Sequence, residues 1–101
     1  MDKPIQRINT LRRLVLIYSC IYYRLGKSLV SDAKFDMWCR ELVEIQKKHP
    51  KKAENGMYAE EFKGFDGTTG YDLPIGEPKV VDKAQRLVRD VNIYKKRKNI
   101  S

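Results

Sequence analysis

A mainly α-helical domain is the fold this sequence predicts, and three observations carry that expectation. Apolar residues recur at steps of three and four over 5–25, 35–45 and 80–91, the period of an amphipathic helix face. Gly26 and Pro50 punctuate the ends of the first two runs. Between the second and third runs, Gly56, Gly64, Gly67, Gly70, Pro74 and Gly76 break any long periodicity. The expected architecture is an antiparallel helical hairpin, an aromatic and Gly-rich loop, and a C-terminal helix. A chain of 101 residues has the length of one domain.

In the first helix Ile5, Ile8, Leu11, Leu14, Val15, Tyr18, Tyr22 and Leu25 share one face, with Arg7, Arg12, Arg13 and Arg24 between them. Asp2 is placed to cap its start, and Pro4 is tolerated in a first turn. Gly26 is a natural stop because it accepts the left-handed backbone that ends many helices. Residues 27–30 bridge to the second helix. Ser31 or Asp32 caps that helix by accepting a backbone N–H, and a carboxylate there suits the positive helix end. Phe35, Trp38, Cys39, Leu42 and Ile45 mark its buried face, and Pro50 closes it after Lys47-Lys48-His49. So short a connection implies that the two helices pack against each other.

Residues 51–77 read as a loop. Its aromatics, Tyr58, Phe62, Phe65 and Tyr71, imply that it folds back over the helices. Pro78 opens the last helix, whose apolar stripe is Val80, Val81, Ala84, Leu87, Val88 and Val91.

Composition bounds the function. No apolar run approaches the roughly 20 residues of a membrane span, and the first residues lack the pattern of a secretory signal. A cytoplasmic location is the expectation, with no membrane partner. Cys20 and Cys39 lie among apolar neighbours and, with His49 as the single histidine, make no zinc site; both read as core thiols. The formal charge of +8 admits weak, salt-sensitive DNA binding. Arg12, Arg13, Lys47, Lys48, Lys51, Lys52 and the run Lys95-Lys96-Arg97-Lys98 are its candidate contacts.

The most informative stretch spans the first turn. Tyr22 and Tyr23 end one helix, while Asp32, Phe35 and Asp36 begin the next. Folding back across the turn brings these ends together as a small cleft with aromatic walls and two carboxylates. A flat cationic ring suits it, because aromatic faces attract cations and carboxylates balance charge or accept hydroxyl hydrogens.

Ser31-Asp32-Ala33-Lys34-Phe35-Asp36 resembles the Ser-Asp-Ala-Glu-Tyr-Asp signature in the N-terminal domain of bacterial NAD-dependent DNA ligases. Arg40-Glu41-Leu42 and Lys48-His49-Pro50 follow at that family's spacing, so the resemblance covers 11–50. It implies a domain that grips the nicotinamide mononucleotide (NMN) half of NAD, with Tyr22, Tyr23, Asp32, Phe35 and Asp36 as the cofactor contacts and no metal. Two departures stand out. Phe35 keeps the ring of the usual tyrosine without its hydroxyl, and Lys34 replaces the glutamate that would pair back onto Ser31.

The resemblance implies one ligase-like helical domain over 1–94 and a basic tail over 95–101. Lys63-Gly64-Phe65-Asp66-Gly67 is one residue too long for the family's adenylation motif, Lys-x-Asp-Gly. The expectation is therefore a non-catalytic module of the stand-alone kind found in phages and prophages. It would bind NMN or NAD weakly and act in DNA replication or repair with a partner. Two alternatives are a small basic DNA-binding protein and an interaction protein that modulates a host ligase. The loop Asp66-Gly67-Thr68-Thr69-Gly70-Tyr71-Asp72 lacks the ligand spacing of a calcium site and reads as a turn, or as a partner surface built on Phe65 and Tyr71.

Overall fold

The first apolar run forms a helix that is buried on more than one side. In the computed structural model, which describes residues 3–67 and 73–100 with the side chains of 93–100 excepted, this is α1 (Lys3–Tyr23). It is followed by α2 (Asp32–Lys48), α3 (Pro50–Asn55) and α4 (Pro78–Ile100). The fold is mainly helical, and no strand occurs among the described residues. The capping role expected of Asp2 lies outside them.

A single stripe does not describe α1. Ile8, Leu11 and Val15 are fully buried as their spacing predicts, but Leu16, Cys20 and Ile21 are buried as well. The reason is tertiary: α1 packs against α2, α3 and α4, so more of its circumference is covered than one partner would require. Conversely Tyr22, assigned to the buried face, is 58% exposed. Cys39 and Leu42 of α2 and Val80 and Ala84 of α4 complete the core with Phe62 and Ile75. Phe35, Trp38, Ile45, Val81, Leu87 and Val88 pack half-buried at its edge.

Gly26 ends the first helical segment as expected, at φ +64°, and the Lys27 N–H donates to the Ile21 carbonyl at 3.0 Å. The loop expected from residue 51 is corrected at its start, where residues 50–55 form α3. Proline both ends one helix and suits the first position of the next, because its fixed φ is helical and its missing N–H is not needed there. His49 is shared as the C-cap of α2 and the N-cap of α3, and its N–H donates to the Ile45 carbonyl. The loop beyond α3 folds back: Phe62 is buried, and Phe65 meets it edge-on with ring centroids 5.3 Å apart.

Arg12 is a second correction. Expected on a basic surface facing nucleic acid, it is 1% exposed. Its Nε donates to Gln46 Oε1 at 2.9 Å, Nη1 to the Met57 carbonyl at 2.8 Å and Nη2 to the Ala53 carbonyl at 2.9 Å. The guanidinium also lies 5.7 Å from the centre of the Phe62 ring. Five donors on a planar fork let one side chain tie α1 to α2, α3 and the following turn. Burial pulls its pKa down, and Glu61 partly opposes that.

The run Lys95-Lys96-Arg97-Lys98 is helical as part of α4, and its side chains lie outside the described residues. Among the described residues, no helix is long and apolar enough to cross a membrane.

Candidate functional site

Where α1 ends and α2 begins, the chain encloses a cavity of about 220 Å³. Tyr18, Ser19, Tyr22 and Tyr23 line it from α1, Ser28, Leu29 and Val30 from the connection, and Asp32 and Phe35 from α2. Four of the five residues singled out by the sequence therefore share one cavity. Asp36 does not line it; its carboxylate accepts a hydrogen bond from Arg40 Nη2, one turn further along α2.

Local chemistry explains the arrangement. Gly26 turns the chain sharply at the end of the helix, which leaves only a short connection and holds the two helix ends close. Ser31 then caps α2: its Oγ accepts the Lys34 N–H at 3.2 Å. With the cap supplied by Ser31, the exposed Asp32 keeps its carboxylate for the cavity, at the helix end where the backbone dipole favours negative charge. Lys34 does not line the cavity; its Nζ sits 5.9 Å from the centre of the Trp38 ring.

The walls are aromatic. Tyr22 and Tyr23 meet edge to face, with centroids 5.0 Å apart and planes at 89°. Tyr18 contacts Trp38 at 5.1 Å, so the cavity's inner wall is braced against α2. Phe35 is half-buried against the core and adds a hydrocarbon ring to the lining. Such a site can hold a planar, electron-poor ring by stacking while a carboxylate balances its charge.

The family described as "DNA ligase-like, N-terminal NAD+-binding domain" matches residues 1–55, a stretch that contains every lining residue of this cavity. The chain belongs to that family. The ligase-family stretch is 42% identical over 52 residues to a DNA ligase of Bacillus subtilis (strain 168), covering 50% of this chain and 8% of that protein. It is 44% identical over 46 residues to a DNA ligase of Chloroflexus aggregans, covering 46% of this chain and 7% of the relative. A DNA ligase of Roseiflexus castenholzii is 38% identical over 50 residues, with 50% of this chain and 7% of the relative covered. The matched part of this ligase-family chain thus spans less than a tenth of those relatives. No solved structure matches it.

Sequence reasoning missed Tyr18, Ser19, Ser28, Leu29 and Val30 as cavity residues. Ser19 carried a legible signal: it precedes Tyr22 and Tyr23 by three and four positions, the spacing of one helix face. The connection residues carried none, because their placement follows from how the turn closes. The two thiols lie elsewhere, free and buried. Burial, helped by the charge of Asp36, pushes the Cys39 thiol up to about 11. Burial also raises Cys20, against a lowering by Arg24. Neither is poised as a nucleophile at neutral pH. Among the described residues, no group of three or more His, Cys, Asp and Glu is placed to hold a metal ion. Lys63 of the adenylation look-alike is exposed in a turn, where the Phe65 N–H donates to the Phe62 carbonyl. The Thr68-Thr69-Gly70-Tyr71-Asp72 part of the Gly-rich loop lies outside the described residues.

Proposed function

We propose that this domain is a recognition module for the nicotinamide mononucleotide half of NAD, and that it supplies no group for the ligation chemistry itself. The observation that carries the reading is the shared cavity of Tyr22, Tyr23, Asp32 and Phe35 inside the family-matched stretch. Nicotinamide in its mononucleotide is a flat, positively charged ring. Tyr22 and Phe35 offer it ring faces, and Asp32 offers an anion at the mouth that also accepts ribose hydroxyl hydrogens. Size agrees: the cavity lies below the roughly 300 Å³ where pockets for larger ligands begin, which fits a ring and sugar better than a whole dinucleotide.

Asp36 enters this reading in a subordinate place. It lies one turn from Asp32 and is paired with Arg40, so engaging a ligand would require it to leave that pair. Two exposed aromatics with no core role, Tyr22 and Tyr23, support a ligand-facing duty. In a working enzyme the module would deliver its half of the cofactor to an adenylating partner in DNA replication or repair.

Titration with NMN and with NAD tests the proposal. Trp38 fluorescence is a suitable probe because that ring contacts Tyr18 in the cavity wall. Amide shifts confined to Tyr18, Ser19, Tyr22, Tyr23 and residues 28–35 are the expected result. Absence of any site-localised change at millimolar ligand overturns it.

A second reading has its own observation: Lys47, Lys48 and Lys51 are all exposed around the α2–α3 junction. Together with Arg13 and the half-buried Lys52 they would give weak contact with a DNA backbone. Affinity should fall steeply between low and physiological salt, as counterion release requires. Salt-independent binding, or none, would dismiss it.

A further inference from the structure

Ser19 is 1% exposed, and its Oγ has no hydrogen-bond partner; among the described residues, no other side-chain nitrogen or oxygen is recorded as both buried and unpaired. It also lines the cavity between α1 and α2. Buried polar atoms are nearly always paired, because desolvating a hydroxyl without compensation costs more than a typical hydrogen bond returns. Alanine would fit the same position with no orphaned atom and with better helix propensity. The hydroxyl is therefore a burden on the unliganded fold, and it sits in the wall of the site.

We infer that Ser19 is a specificity-determining contact, pairing with a neutral amide on the leading edge of the ring that fills the cavity. The inference rests on the NMN reading above and deepens it. Depth sets the geometry: Ser19 is buried one turn below Tyr22 and Tyr23, whereas Asp32 is exposed at the mouth. A ring entering between the aromatic walls leads with one edge toward Ser19 and trails its sugar toward Asp32. Rotation about χ1 turns the hydroxyl from its closed position toward that edge. A carboxamide offers both an acceptor and a donor, so either role of the hydroxyl is met. A carboxylate at that edge would place a charge at the buried end with a single hydroxyl to solvate it, and desolvation would oppose it. The site selects nicotinamide over nicotinic acid.

The experiment compares NMN with nicotinic acid mononucleotide by calorimetric titration of the wild type, Ser19→Ala and Ser19→Thr, with thermal melts of each protein alone. Wild type should prefer the amide by tenfold or more. Ser19→Ala should melt at or above the wild-type temperature, bind NMN about tenfold more weakly and lose most of the preference. Ser19→Thr should restore part of it. Equal NMN affinity in wild type and Ser19→Ala overturns the inference and assigns the hydroxyl to a bound water. Equal wild-type affinity for amide and acid overturns it too, even if the alanine variant fails to fold. If the wild type binds neither mononucleotide, the NMN reading itself fails and this inference falls with it.

Discussion

Ser31 caps α2 through its Oγ and so frees the adjacent Asp32 to line the cavity with a carboxylate that no capping bond consumes. The two residues divide a job that either could perform, and substitution should separate their roles. Ser31→Ala should cost about 1 kcal/mol of stability and change NMN affinity by no more than a few-fold. Asp32→Asn should reduce affinity at least tenfold while moving the melting temperature little. Chemical denaturation and calorimetric titration of both variants check this; a reversed pattern would exchange the two assignments.

Asp36 and Asp32 are both carboxylates in the first turns of α2, yet only Asp32 reaches the cavity lining. Asp36→Asn should therefore weaken NMN binding less than Asp32→Asn. Arg40→Ala, which releases Asp36 from its ion pair, should leave affinity unchanged or raise it. Being exposed, the pair itself contributes little to stability, and the melting temperature should shift only slightly.

Phe35 supplies a ring wall without a hydroxyl. Phe35→Tyr restores that group and should tighten NMN binding by a few-fold, with stability nearly unchanged at this half-buried position. Phe35→Ala should remove the stacking face and cost about 2–3 kcal/mol of folding stability, because part of the ring packs on the core. Titration and urea unfolding measure the two effects separately.

Arg12 and Gly56 form the joint that fixes the turn after α3. A Cβ at Gly56 would come within 2.9 Å of Asn9 Oδ1 and 3.0 Å of Arg12 Nη1. Neither neighbour can yield freely, since Asn9 accepts the Met57 N–H and Arg12 is held by three hydrogen bonds. Arg12→Ala should destabilise by about 2–4 kcal/mol, because it removes three hydrogen bonds of a buried guanidinium that tie α1 to α2, α3 and the following turn. Gly56→Ala should cost less but remain clearly measurable. Arg12→Ala should not alter the salt dependence of any DNA binding, a comparison best made on the fraction that folds.

Cys39 gives a signed pH dependence. Its folded pKa is about 11 against an ordinary 9.0. Above pH 9 the unfolded thiol releases its proton first, so the stability contribution is complete below pH 9 and is lost as pH rises toward 11. The loss from this group should reach about 2 kcal/mol. Subtracting the Cys39→Ala stability profile from wild type isolates it from other groups that titrate there; a flat difference between pH 9 and 11 would contradict the burial of this thiol.

Residues 22–36 were readable as a site because the elements that build it are neighbours in sequence. One glycine turn joins two helix ends, so residue order alone implies their meeting. The helices α1, α2 and α4 were likewise legible from apolar period and from Pro and Gly punctuation. Arg12 was not: its partners, Gln46, Ala53 and Met57, come from distant parts of the chain, and nothing local separates a buried arginine from a solvated one. The extra burial of Leu16, Cys20 and Ile21 was hidden for the same reason, since it depends on how many helices α1 contacts.

The sequence by itself determined a helical domain, its family and the aromatic and acidic residues at the first turn, because periodicity, capping and turn chemistry act over a few residues. Only tertiary structure decided that Ser19 is buried and unpaired in the cavity, that Asp32 rather than Asp36 lines it, and that Arg12 is an internal tie. Those outcomes depend on packing and desolvation between separated elements.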